Sequence, residues 1–451
     1  MKYRILTIAI VVLAFTRICS AVEYLIIDLG ELSISPFSGA LLCPLSINNL
    51  GQVAGCGTTK PGDLSAFVWE DNKRYYITNE LDSDWANDIN ADKLVVGAEV
   101  ISGFPTPFYW QNGVKNPLPT SLTLGKGGEA LAVNDAGKIV GIIFQPLSSL
   151  SKAALWRDGG GKELVPIKTL YTDDKYNHAS DINNHDKVVG YSGDLDIPRQ
   201  LAFVWQEGLP PVELALLPGD VAAAASAINN NDRIVGYSAD ADDVKHAVLW
   251  QGGEVIALAP LSVDAWALSL NDNEQVVGGF AAADGNRAFL WEGAKFHDLN
   301  NQLVDGEGWL LLEAHDINDD GWIVGVGSLN GASEPRGFLL LPQAAEAIAA
   351  EVKIAPQTLN LKSKIKQITC TLQLPEGYDI SEVDPSTIRL MGEIEPDYGK
   401  VRIDEAEQAL MARFSRSELE LWLSKGSCEL TVSGALYDGT KFEGKDTIRV
   451  K

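Results

Sequence analysis

The chain has 451 residues, 46% of them hydrophobic and 22% charged, which is enough apolar material for a large core and unlike a disordered or collagen-like composition. Its formal net charge is -25. A surface that negative repels phosphate backbones and anionic lipid, so nucleic acid is excluded as a main partner, while neutral or cationic partners, sugars included, stay open.

Met1 to Arg4 is basic, Ile5 to Phe15 is apolar, and Cys19-Ser20-Ala21 is an exit of small residues. These are the three parts of a secretory signal peptide, with cleavage expected after Ala21. A membrane anchor is the competing reading. The run is only about half of the roughly 20 residues that span a bilayer, and Ile18 before Cys19 does not suit a lipoprotein signal. We expect a secreted, periplasmic or cell-surface chain with no membrane insertion after cleavage, and a formal charge moved from -25 to -28 by the loss of Lys2, Arg4 and Arg17. In an oxidising compartment the four remaining cysteines would pair as Cys43 with Cys56, across a hairpin, and Cys370 with Cys428. Buried free thiols are the alternative for both pairs.

From there the chain repeats itself. INNLGQVAG, INADKLVVG, VNDAGKIVG, INNHDKVVG, INNNDRIVG, LNDNEQVVG and INDDGWIVG place asparagines at Asn48, Asn90, Asn134, Asn183, Asn229, Asn271 and Asn318, at intervals of 42 to 49 residues. A glycine follows each by seven residues, and then come AFVW, PFYW, AALW, AFVW, AVLW, AFLW and GFLL, with Trp69, Trp110, Trp156, Trp205, Trp250 and Trp291 at one shared place. An Asn opening a four-residue turn bonds the main chain two residues on, and the third residue after it must tolerate positive φ. Gly51, Gly137, Gly321, Asp186 and Asp232 suit that position; Lys93 and Glu274 must take strain or another turn.

Each unit therefore reads as four short strands, the period of a propeller blade. The seventh unit stops at Pro342 without its fourth strand, while an unpaired Tyr24 to Gly30 stands before the first. A spare strand in front and a missing one behind predict an all-β fold, a seven-bladed β-propeller over residues 22–342 closed by the N-terminal strand, rather than an open stack. Residues 343–351 read as a linker, and 352–451 as a small β-sandwich with a capping box at Ser415-Arg416-Ser417-Glu418.

The repeat, best seen in His246-Ala247-Val248-Leu249-Trp250 and Arg287-Ala288-Phe289-Leu290-Trp291, resembles the HAF-type extracellular repeat proteins of bacteria. Only unit five keeps the His, and Leu340 replaces the last Trp. The resemblance implies export and a propeller-like fold and hands over no catalytic residue. Ile354 to Leu361 and Pro375-Glu376-Gly377-Tyr378 look like an immunoglobulin-like module of secreted bacterial proteins, which implies a spacer or attachment role.

Chemistry is sparse. His178, His185, His246, His297 and His315 fall in different units and read as turn or surface residues, not a zinc site. Gly159 to Gly161 lacks the Lys-Ser or Lys-Thr of a phosphate loop. Asp316, Asn318 and Asp320 match the start of a calcium loop, but the Glu expected six residues beyond Gly321 is Gly327, so no cofactor is expected beyond a possible calcium ion there. We expect a non-catalytic scaffold for an extracellular protein or glycan; the alternative is a secreted glycoside hydrolase or lyase with its site in the inserts Pro146 to Lys152 or Thr169 to His178.

Overall fold

The computed structural model describes residues 22–451 apart from 33–44, 58–63, 78–82, 121–126, 145–150, 158–162, 167–175, 195–198, 305, 344–346 and 438–439. The leader, Cys43, the glycine run 159–161 and most of both inserts lie outside the described residues. No helix among the described residues is long and apolar enough to cross a membrane.

The fold is all-β, divided into two compact units, Tyr24–Pro342 and a second that includes Gln343–Lys451. In the first, every repeat forms four antiparallel strands. The second repeat shows the pattern: Asp84–Ile89, Val95–Ile101, Phe104–Gln111 and Val114–Pro117, hydrogen-bonded in that order. Repeats one, two, five and six are separate four-stranded sheets; three and four are joined by a single parallel bridge from Ser151 to Tyr176. Repeat seven contributes Trp309–Ile317, Ile323–Leu329 and Arg336–Pro342, and its fourth strand is Tyr24–Glu31, with Ile26 opposite Leu340 and Ile27 opposite Leu339.

The recurring tryptophans lie on third strands, each opposite the first residue of its Val-Val-Gly step, as in Ile139 with Trp156 and Ile234 with Trp250. Trp156 and Trp250 also reach back to the preceding repeat, their Nε1 donating to Pro119 O at 2.8 Å and Ala215 O at 2.6 Å. The apolar core is laid down in layers between successive sheets. One layer packs Val324, Val326 and Leu339 of repeat seven with Leu45, Ile47, Phe67 and Trp69 of repeat one.

The glycine of each repeat is imposed by a bulge. In the leading strands of repeats two to seven an extra residue interrupts the ladder just after an alanine, and in repeat seven a second does so at Leu312; that alanine, such as Ala179, faces the glycine, here Gly190. The carbonyl just before that alanine turns onto the glycine, so a Cβ on Gly190 would lie 1.9 Å from His178 O.

All seven repeat asparagines are buried. Asn183 Oδ1 accepts from the N–H groups of His185 and Lys187, both at 3.0 Å, closing the expected turn. Its Nδ2 does something the sequence does not announce: it donates to Asn229 O in the next repeat. The same bond runs from Asn48 to Asn90, Asn90 to Asn134, Asn134 to Asn183, Asn229 to Asn271 and Asn271 to Asn318. Asn318 then donates to Asn48 O at 3.2 Å. Lys93 and Glu274 adopt the left-handed turn, at φ 57° and 63°, so the strain is accepted and the turn kept.

A second row of bonds follows one residue later. The N–H groups of Ala91, Asp135, Asn184, Asn230, Asp272 and Asp319 each donate to the side chain of the residue at the same place in the next repeat, the last to Asn49. Ala91 offers no acceptor to Asn49. Ala91→Asn is therefore expected to add one bond worth about 1 kcal/mol, read as a rise in Tm of about 2 °C; an unchanged or lower Tm would refute it.

The second unit has two sheets. Glu351–Ala355, Gln367–Gln373, Arg402–Asp404 and Ala409–Ser415 form one; Val383–Leu390, Gly426–Leu436 and Lys441–Val450 form the other, with Ile348–Ala349 and Thr358–Leu359 paired to Lys441–Val450. They share one apolar core, from Ile354, Cys370 and Phe414 to Leu430, Phe442 and Ile448. Three expectations are corrected here. The linker 343–351 is in part sheet, since Ile348–Ala349 is hydrogen-bonded into this unit. Cys370 and Cys428 are free: they sit on different sheets, Cys370 buried in the core and Cys428 bonded through Sγ to Ser424 O at 3.0 Å. The helix Arg416–Leu419 forms, but Ser415 gives it no side-chain cap and its hydroxyl meets that of Ser417 at 2.9 Å.

Candidate functional site

Five residues before the asparagine, just ahead of the bulge, the leading strands of repeats two to seven carry a position whose backbone is fixed and whose side chain is not. The bulge sets its carbonyl against the glycine of the neighbouring strand in repeats two to seven. The occupants are Trp85, Glu129, His178, Ala224, Trp266 and Glu313, with Cys43 the residue of repeat one. Identical backbone and unlike side chains mean that the fold does not dictate them.

Glu313 is the best connected. Trp266 Nε1 of the preceding repeat donates to its Oε1, and His315 Nε2 lies 3.2 Å from Oε2. Burial raises the Glu313 carboxyl, but hydrogen bonds from His315 and Trp266 and the charges of His315 and Lys245 outweigh it and hold the group below its ordinary value. Lys245 Nζ stands 5.9 Å from the Trp266 ring centroid and 5.0 Å from that of Tyr237. Glu129 is the opposite case. Burial alone pushes its carboxyl up to about 7, and it has no hydrogen-bond partner among the described residues. His178 stacks on Tyr191 with ring centroids 4.8 Å apart, and burial pushes it down to about 4.

Three residues further along, two before the asparagine, lie Asp88, Asp181 and Asp316 of repeats two, four and seven. Each takes the N–H of its own successor and that of the residue before the next repeat's asparagine: Val133 for Asp88, Ile228 for Asp181 and Ile47 for Asp316, all at 2.7 to 2.9 Å. Ser46 Oγ lies 2.7 Å from Asp88 and 3.0 Å from Asp316. Burial, together with the charges of Asp181 and Asp316, raises Asp88 to about 7, against the Ser46 bond.

The residues singled out for calcium have other work. Asp316 accepts from Ile47, Ser269 and Ile317 within this belt and lies beside Ser46, Asn318 belongs to the asparagine row, and Asp320 is exposed. Among the described residues no group of three or more His, Cys, Asp or Glu side chains is placed to hold a metal ion. Three histidines expected in turns or on the surface are not there: His178 is stacked as described, His315 Nδ1 accepts from Leu45 N at 3.2 Å while its Nε2 meets Glu313, and buried His246 Nδ1 lies 2.9 Å from Asp220, its Nε2 3.1 Å from Leu261 O. Cys56 is buried, and its expected partner Cys43 lies outside the described residues. Sequence reading missed Glu129, Trp266 and Glu313. Their signal was an alignment of the repeats on the asparagine, with the variable columns read instead of the constant ones.

This frame defines a repeat protein of four-stranded sheets with a variable row on its leading strands. No protein-family model matches the chain, and no curated protein does. Among solved structures it is similar to virginiamycin B lyase from Staphylococcus aureus, at 12% identity and a TM-score of 0.45 over 71% of this chain and all of that one. It is also similar to the β-propeller domain of the Trilobed protease from Pyrococcus furiosus, at 12% identity and 0.45 over 69% and 95%. A third is TolB from Acinetobacter baumannii, at 12% and 0.39 over 65% and 64%. At these scores they add nothing to what the residues themselves show about activity.

Proposed function

We propose that the seven repeats are the blades of one propeller closed by Tyr24–Glu31, that the chain is exported, and that it binds an extracellular glycan or protein through the variable row of its leading strands. Closure is supported by the return of the asparagine row from Asn318 to Asn48 and by the apolar layer between repeats seven and one. Binding rests on Glu129. A carboxylate desolvated without a partner costs stability, and a fold that tolerates Ala224 at the same place in another repeat does not need it.

A glycan array probed with the purified chain tests this. Binding should fall at least about tenfold in Glu129→Gln and in Trp266→Ala, since each removes a polar or stacking contact on the row. Unchanged binding in both would refute the site. One observation favours a second reading as an acid-base enzyme: Glu129 is pushed up while Glu313 is held down, the split that lets one carboxyl donate a proton and another accept one. Release of reducing sugar, abolished by Glu129→Gln, would decide for it.

A further inference from the structure

The second unit holds a groove of about 830 Å³ whose lining is unlike the rest of the chain. Lys364, Lys366, Lys400 and Arg416 line it, and Glu420 is the one acidic residue among them. Glu420 is held by Arg416 at 2.8 Å, and Lys400 by Asp397 at 2.7 Å. Lys364 and Lys366 are exposed and have no acidic partner among the described residues. In a chain of net charge -25, with abundant carboxylates for lysines to meet, two unpaired lysines two residues apart in one groove are left for something else.

The groove is also built and not merely exposed. Arg416 is buried, and its Nη1 donates to Ser363 O at 2.6 Å and Ile365 O at 3.1 Å, its Nη2 to Leu361 O at 2.5 Å. Its backbone N–H reaches Lys366 O at 3.0 Å. One guanidinium thus pins the segment that carries both lysines, so their backbone is positioned before any ligand arrives.

We propose that this groove binds an acidic polysaccharide, one carrying uronate carboxylates or sulfate esters. Lysines 364 and 366 meet the acid groups. Ser415, Ser417 and Gln367 offer hydroxyl and amide groups of the kind that pair with sugar hydroxyls, and Ile365 is the only apolar side chain of the lining, too little for a peptide's hydrophobic anchors. The lining has no aromatic side chain on which nucleic-acid bases could stack, and one apolar side chain is too little to enter a bilayer. This site lies in a different unit from the propeller row and is independent of the reading above.

The test is calorimetric titration of the full chain at low ionic strength with polygalacturonate, dextran sulfate and neutral dextran, beside anionic phospholipid vesicles and single-stranded DNA. At least one acidic polymer should bind and dextran should not; which of the two binds tells carboxylate from sulfate. The double variant Lys364→Ser, Lys366→Ser should bind about tenfold more weakly with its thermal unfolding unchanged, and salt should erase the difference. Glu129→Gln should leave this binding intact, which keeps it distinct from the propeller site. Binding unaltered in the lysine variant, no binding of either acidic polymer, or capture of vesicles or DNA alone would overturn the proposal.

Discussion

Replacing Gly190 by alanine is expected to destabilise the protein by about 3 kcal/mol or more, a fall in Tm of about 6 °C or greater, or to abolish soluble expression. The new methyl would lie 1.9 Å from His178 O, 2.9 Å from His178 C and 3.1 Å from Ala179 Cα, all backbone atoms. No rotamer change relieves a clash with main chain; the bulge itself must move. It cannot move freely, because the next residues, Asp181 and Asn183, are tied to the following repeat through Ile228 N and Asn229 O. The same approach, at 2.0 to 2.2 Å, recurs at Gly97, Gly141, Gly236 and Gly325, so alanine there should act alike. Gly399, whose built Cβ would meet only Asp397 Oδ1 at 3.6 Å, is the control, expected to change Tm by less than about 1 °C. Thermal unfolding followed by circular dichroism measures both, and a Gly190→Ala protein as stable as the control would mean that the bulge is not held as described.

That glycine shows how far the sequence could be read. Its recurrence seven residues after the asparagine was plain, and so were the four strands of each repeat, because turn chemistry and apolar alternation are local. The reason for the glycine was not, since it lies in a carbonyl of another strand twelve residues earlier. The asparagines had a sufficient local role in the turn, which concealed the second use of their amides between repeats. Cys370 and Cys428 looked like a pair because they are the two cysteines of one region, yet alternation along Gln367–Gln373 turns Cys370 into the core while Cys428 stands on the other sheet. Ser415 has the composition of a capping box, but a helix of four residues ties too few backbone donors to need one. The lysine groove was hidden for a further reason: Lys364 and Lys366 are separated from Lys400 by some 35 residues, and only the folded sheet brings them together.

Stability should rise as pH falls from 8 to about 6. The buried carboxyls decide this. Ser46 has one hydroxyl proton and two carboxylates within reach, so it can donate to only one of Asp88 and Asp316; the other contact becomes a hydrogen bond when a carboxyl carries a proton. Burial raises Asp88 to about 7 and Asp181 to about 6 in the folded chain, with Asp316 shifted the same way, against 3.8 when unfolded. A folded state that takes up protons the unfolded state does not gains stability as pH drops through those values, and Asp88 and Asp181 together contribute about 1 to 2 kcal/mol of that between pH 8 and 6. His178 works in the other direction. Held neutral by burial and pushed down to about 4, it leaves the unfolded chain to bind the proton below its ordinary 6.5, so from there downward it offsets part of the carboxyls' gain. Asp88 and Asp181 together take up more protons than His178 forgoes, so these groups carry the rise on below pH 6. Asp88→Asn carries no titrating proton and should lessen the rise between pH 8 and 6; the slope of Tm against pH, not its absolute value, is the readout, because the amide also loses one of the carboxylate's acceptor contacts with Ile89 and Val133. A variant with the slope of the parent chain would show that Asp88 is ionised throughout and that the Ser46 bridge is held by the serine proton alone.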